Sequence, residues 1–214
     1  MTTFNIDTTK GMEFGLYSLG DHVMNPVDGK RISAKQRIDE IIEAAKLAEQ
    51  AGIDVFGVGE SHQTHFTTQA HTVVLGAIAQ ATEKIKVTSS ATVLSVSDPV
   101  RVYEDFATID LISGGRAEIV GGMYPHIDTG FKLIRGAGYP KQQFAEAVDP
   151  QDALMVGDKH QIIEKLLYQH ELFGMDRFMA QIDFGGVPFD KIMKNIEIIG
   201  NDILPVIKKY TAKG

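Results

Sequence analysis

Glu60 and His62 stand two residues apart in GVGESHQTHF, with Ser61 between them. An imidazole beside a carboxylate can take up or release a proton near neutrality, because the ordinary histidine pKa lies there. Glu60 can orient that imidazole or its loop, or act as a base. In the plainer alternative His62 bonds a loop carbonyl and does no chemistry. His65 and His71 follow closely and are weaker candidates. A second group, Ser89, Ser90, Ala91 and Thr92, occupies the end of IKVTSSATVL, and a third is the pair Gly121 and Gly122. Small residues at a strand end admit a ligand or merely clear space for a turn. Asp110 and Arg116 flank a tight turn, where an ion pair or a carbonyl cap explains them. Arg101 reads as a solvated charge, and Asp105 is conspicuous without a role in catalysis. The histidines and carboxylates show no HExxH or facial-triad spacing, so no metal site is expected. No GxGxxG opens a helix after the first strand, and no GxxxxGK[ST] occurs.

Alternating strand and helix patterns must position these groups. Apolar runs at 12–19, 54–59, 85–92 and in SGGRAEIVGG predict four strands. Helices are predicted at about 34–50, capped by Ser33, at about 70–82, and after Asp98-Pro99. Short apolar strands alternating with helices argue for βαβ units and a parallel sheet, whose carboxyl ends bind ligands. The pattern lapses after Gly122. FKLI, YPKQQFAEAV and ALMVG are ambiguous pieces there. It resumes where Asp158, three residues before Gln161, predicts a helix start. DRFMAQIDFG predicts a further strand, and 188–210 one closing amphipathic helix. Residues before Lys10 read as a loose polar leader.

The chain has 214 residues, a formal net charge of -7 and no cysteine. One domain, 1–214, accounts for that length. The acidic balance with scattered Lys and Arg argues against nucleic acid or an anionic membrane as partner. Lack of cysteine excludes disulfides, thiolate metal sites and cysteine nucleophiles. No signal-peptide pattern or membrane-length apolar run is present, so a cytoplasmic location is expected.

GVGESHQTHF, the block DPVRVYEDFATIDLISGGRAEI and the stretch LLYQHELFGMDRFMAQIDFGG resemble the bacterial-luciferase-like flavin-dependent monooxygenases. The resemblance covers roughly 12–122 and 154–206, with 123–153 poorly matched. It implies an α/β fold of the TIM-barrel type, here incomplete, with about five recognisable strands rather than eight. It implies FMN, or a deazaflavin as alternative, and a monooxygenase reaction on a small organic substrate. It further implies a flavin reductase as a partner and a homodimer formed by the helices after the second and third strands, through Ala70, Val74, Ala77 and Ile78. His62 and Glu60 are then the catalytic candidates, and Ser89, Ser90, Ala91, Gly121 and Gly122 the flavin neighbours. Ser61 replaces the first histidine of the family's usual Glu-His-His. Met123 stands where many relatives carry a phosphate-holding arginine, so weak FMN affinity is expected. The alternative is a non-catalytic flavin-binding or structural homologue, or an internally deleted variant without activity.

Overall fold

The computed structural model describes residues 6–95, 97–122, 149–150, 155–183 and 185–213. Local signals set the element limits. The Ser33 hydroxyl accepts from the Gln36 N–H and starts α1 (Ala34–Gln50), and Asp98 accepts from Val100 and Arg101 to start α3 (Pro99–Ser113). Asp158 and Gln161 form a reciprocal capping box ahead of α4 (Lys159–Phe173). Between these lie β1 (Glu13–Ser18), β2 (Val55–Gly59), α2 (His71–Ala81), β3 (Lys86–Val93) and β4 (Ala117–Glu118). The two-residue β5 (Gly121–Gly122) continues the β4 edge along β3. Beyond α4 come β6 (Arg177–Gln181), α5 (Phe189–Ile198) and α6 (Leu204–Thr211).

Every strand pairing is parallel, in the order β4-β3-β2-β1-β6, as the alternating pattern predicts. Alternation along each strand divides the sheet into two faces. Phe14, Leu16, Phe56, Val58 and Val87 turn toward the helices and join Ile41, Leu75, Ile78, Leu166, Ile192 and Ile196 in the core. The opposite, inner face carries Gly15, Tyr17, Val55, Gly57, Thr88 and Ser90. A Cβ placed on Gly57 would meet the Ser90 Oγ at 2.5 Å and Tyr17 Cβ at 3.3 Å.

The sheet curls strongly. Four strand spacings of about 4.8 Å would hold β4 and β6 about 19 Å apart in a flat sheet. Yet Arg177 on β6 donates to both carboxylate oxygens of Glu118 on β4, at 2.5 and 3.1 Å. The same guanidinium binds Glu13 of β1, at 2.8 Å through Nε, and Lys86 of β3 adds contacts of 2.6 Å to Glu13 and 3.5 Å to Glu118. Two cations and two carboxylates from four strands thus close the amino-terminal end of the inner face.

Some expectations fail for identifiable reasons. The closing helix runs without a break from Phe189 to Thr211, but it widens into a π turn at Ile199–Ile203, between α5 and α6. Pro205 lacks an N–H and would crowd the carbonyl four residues back, so the helix widens just ahead of it. Gly200 lies in that turn against Ala51, whose carbonyl oxygen would be 2.5 Å from any Cβ there. The polar leader is tied down from Asp7, which caps a 3-10 turn at Thr8–Lys10. Lys213 N–H donates to the Thr8 carbonyl at 3.1 Å. Val74 and Ile78, expected at a dimer face, are instead buried in the core. Their helix and α3 present Val73, Val100, Tyr103 and Leu111 outward. Met155–Gly157 of ALMVG has no regular secondary structure. FKLI, YPKQQFAEAV and Met123 lie outside the described residues.

Candidate functional site

The carboxyl ends of the strands are stitched together by their loops. His22 N–H donates to the His65 carbonyl at 2.7 Å, Thr67 N–H to Gly20 at 2.9 Å and the Thr68 hydroxyl to Leu19 at 2.6 Å, joining the loops after β1 and β2. Asp21 accepts from Gly185 N–H at 2.9 Å, and Asp183 accepts from Ser18 and Arg37. The loop after β6 is thereby fixed to the same end. Buried polar groups require partners of this kind.

Glu60 lies just past β2 and is only 7% exposed. Its N–H donates to the Ala91 carbonyl at 2.9 Å, and one carboxylate oxygen accepts from Val93 N–H at 2.6 Å. The other oxygen meets His62 Nε2 at 2.6 Å. Burial pushes this carboxyl up. The Val93 N–H, the His62 bond and the nearby imidazoles outweigh that and hold it below the usual carboxylate range. His62 is held by Glu60 on one side while its side chain remains 59% exposed. A proton on Nε2 directed at Glu60 leaves Nδ1 as the acceptor.

His71, the weaker candidate, lies closer to the heart of this arrangement than its position in the sequence suggests. It is buried at the start of α2, its Nε2 2.9 Å from the Thr92 hydroxyl and its Nδ1 3.9 Å from Glu60. Burial pushes its pKa down, against the pull of Glu60 and Asp105. His65 is half-buried with its ring against Phe66, and its carbonyl serves the loop.

The small-residue cluster forms a bulge. Val58 pairs with Ser89 but Gly59 with Ala91, leaving Ser90 as an extra residue on β3. On the other side Thr88 pairs with Glu118 and Thr92 with Gly121, so β3 again carries one residue more. Ser89 pins the bulge: its hydroxyl donates to the Val120 carbonyl at 3.0 Å and accepts from Val120 N–H at 2.9 Å. Ser90 Oγ is enclosed without a hydrogen-bond partner among the described residues. Ala91 is half-buried, and Gly121 and Gly122 run beside Thr92 and Val93.

Two inner-face residues escaped the sequence reading. Gln181 pairs in register with Tyr17, and its Nε2 is buried without a hydrogen-bond partner among the described residues. Tyr17 itself is held above the usual phenol range by burial and by Asp183. Alternation from Gly15 to Tyr17, and from Met179 to Gln181, was the available signal. Arg116 is a carbonyl cap, bonding the carbonyls of Ala79, Thr82, Ile85 and Ser113 at 2.5–2.9 Å. Asp110 accepts from Ala117 N–H at 3.3 Å, and Asp105 from the Thr72 hydroxyl at 2.9 Å. Arg101 is exposed beside Glu104. No cluster of three metal-ligating side chains occurs among the described residues.

Residues 12–160 match the family model described as luciferase-like monooxygenase. The chain belongs to that family. It is 33% identical over 106 residues to the alkanal monooxygenase beta chain of Vibrio harveyi, covering 49% of this chain and 31% of the relative. It is 28% identical over 86 residues to the oxygenase component of the flavin-dependent trigonelline monooxygenase of Acinetobacter baylyi, covering 40% and 24%. The chain thus spans about a quarter to a third of these curated relatives. Among solved structures, monooxygenase RslO1 from Streptomyces bottropensis shares the fold at a TM-score of 0.69 and 14% identity, over 91% of this chain and 99% of that one. The five-stranded parallel sheet is therefore a partial luciferase-like barrel, as the sequence led one to expect. Among the described residues no helix is long and apolar enough to cross a membrane.

Proposed function

We propose that the chain is the oxygenating component of a flavin-dependent monooxygenase acting on a small organic substrate. The observation that carries this reading is the Ser90 bulge, its hydroxyl without a partner among the described residues, beside the Glu60–His62 pair at the same strand ends. Reduced FMN, or a deazaflavin in its place, supplies the electrons for such chemistry when bound. Ser90, Ala91 and the Gly121–Gly122 edge are the residues suited to lie against a planar ring, because none has a large side chain to hold it off. Ser89 keeps the bulge in place, and Gln181 adds a donor on the same face that has no partner among the described residues.

His62 is the proton carrier in this scheme. Glu60 orients its ring, and Nδ1 faces the reacting partner. His71 and Thr92 support Glu60 from behind. The relative named as an oxygenase component supports a separate flavin reductase as partner. A homodimer through the exposed face of α2 and α3, in a cytoplasmic setting, completes the proposal.

A second reading, a flavin-binding homologue without turnover, draws on Ser61 in place of the family's first histidine and on the exposure of His62. Oxygen uptake with FMN, NADH and an added flavin reductase separates the two. Substrate-dependent uptake, with label from 18O2 entering the product, supports the oxygenase. Flavin retention without product formation supports the second reading, and no flavin interaction at millimolar FMN sinks both.

A further inference from the structure

A cavity of about 620 Å³ lies on the helix side of the sheet, away from the bulge and from Tyr17. Its floor is the outer face of β1 and β6, with Phe14, Phe178 and Ala180, and its walls include Ile162 of α4 and Ile199 and Ile203 of the π turn. Ala180 is the smallest side chain on the floor, set between Phe178 on its own strand and its partner Leu16 on β1. The π turn matters too, because the widened helix carries both isoleucines to the cavity wall. π turns of this kind often mark functional places in a helix. The volume falls within the range of small-molecule sites, about 300–1,000 Å³.

We infer that this cavity binds an aliphatic ligand that carries an uncharged polar end. The lining explains the aliphatic part: its floor and walls are hydrocarbon. The mouth explains the uncharged end. Lys159 is paired with Asp202 at 3.2 Å, and Asp158 is engaged by the N–H groups of His160 and Gln161 at 2.8 and 3.1 Å. Each charge there already has a partner, and two carboxylates against one ammonium repel an anionic head. The Asn195 amide, also at the cavity, offers a donor and an acceptor to a hydroxyl or carbonyl. Gln181 also borders the cavity, but strand alternation turns its side chain to the face opposite Ala180, so the sheet lies between this cavity and the proposed flavin site.

Calorimetric titration of the whole chain with 1-hexanol, 1-octanol and 1-decanol tests the inference. Affinity should rise about fourfold per added methylene, the effect of burying one CH2 group. Ala180→Met fills the floor and should abolish binding. Ile162→Phe fills the wall from a half-buried helix position, and decides the matter if the first variant does not fold, as judged by its circular dichroism and melting. Excess FMN should leave the alkanol affinity unchanged. Absence of binding, an affinity independent of chain length, retention of binding in a folded filled variant, or competition by FMN would each overturn the assignment. A change in oligomeric state on Ile162→Phe, with no alkanol bound by the wild type, would assign the cavity to a second copy instead.

Discussion

Arg177 on β6 grips Glu118 on β4, although the two strands stand at opposite ends of the sheet order. The forked guanidinium serves Glu118 and Glu13 together, a geometry that an ammonium cannot reproduce. This end of the barrel is drawn together by charge among the described residues, where neighbouring strands elsewhere are joined by a backbone ladder.

Replacing Arg177 by Met should therefore destabilise the chain by roughly 3 kcal/mol, the lower part of the range for removing one partner from a buried pair. The lower part applies because these side chains are 12–17% exposed. Glu118→Gln should cost less, since Arg177 keeps Glu13. Urea unfolding of the two variants measures the order, and equal costs would show that the grip on Glu118 carries all of the effect.

His62→Ala should lower turnover by about tenfold to ten-thousandfold while leaving flavin affinity nearly unchanged. Steady-state rates paired with a flavin titration make the check. Equal loss of both would make His62 a structural residue.

Acid should weaken the fold in two stages. Burial, the largest influence, depresses the pKa of His71 below its ordinary 6.5, so the unfolded chain binds more protons there and stability falls as pH drops below about 6.5. For Glu60, burial pushes up but its bonds prevail, leaving it below 4.5, so stability falls again as pH drops through that lower range. Urea midpoints between about pH 7.5 and 2.5 should show both losses. His71→Gln should remove the upper stage and Glu60→Gln the lower.

FMN should bind weakly, with a dissociation constant nearer millimolar than micromolar. The resemblance puts a phosphate arginine at the position of Met123, and each charged hydrogen bond lost costs about 1.5–3 kcal/mol. Fluorescence titration decides it. A constant of a few micromolar or below would mean that other groups hold the phosphate.

Association should depend on the outward face of α2 and α3, where Tyr103 is 74% and Leu111 83% exposed. Light scattering should report a dimer at micromolar concentration. Tyr103→Glu with Leu111→Glu should shift it to monomer while leaving the circular dichroism spectrum unchanged, because neither side chain packs in the core.

The parts of the fold that short-range chemistry dictates were readable in the sequence. Ser33, Asp98 and the Asp158–Gln161 box mark their helix starts because each acts within three residues of itself. The parallel strands followed from apolar runs of the right length. Contacts that join distant segments were hidden. Nothing in the sequence brings Arg177 to Glu118, 59 positions apart, or sets His71 behind Glu60. The π turn was half visible, since Pro205 announces a disturbance without fixing its form. The bulge at Ser90 was legible only as a run of small residues, because register is a property of the pairing and not of one strand.

The hydrogen bond from Lys213 to Thr8 leaves the two ends of the described fold side by side. A linker of a few Gly and Ser residues could join them, and new termini could open in the exposed turn around Val27. In such a permuted gene β1, which lies between β2 and β6, would leave the ribosome last, after its neighbours on both sides. The nascent chain would have to hold a slot open for an interior strand of its own sheet. Comparing the soluble yield of the two gene orders would reveal whether this barrel assembles as it is synthesised or only once the whole chain is free.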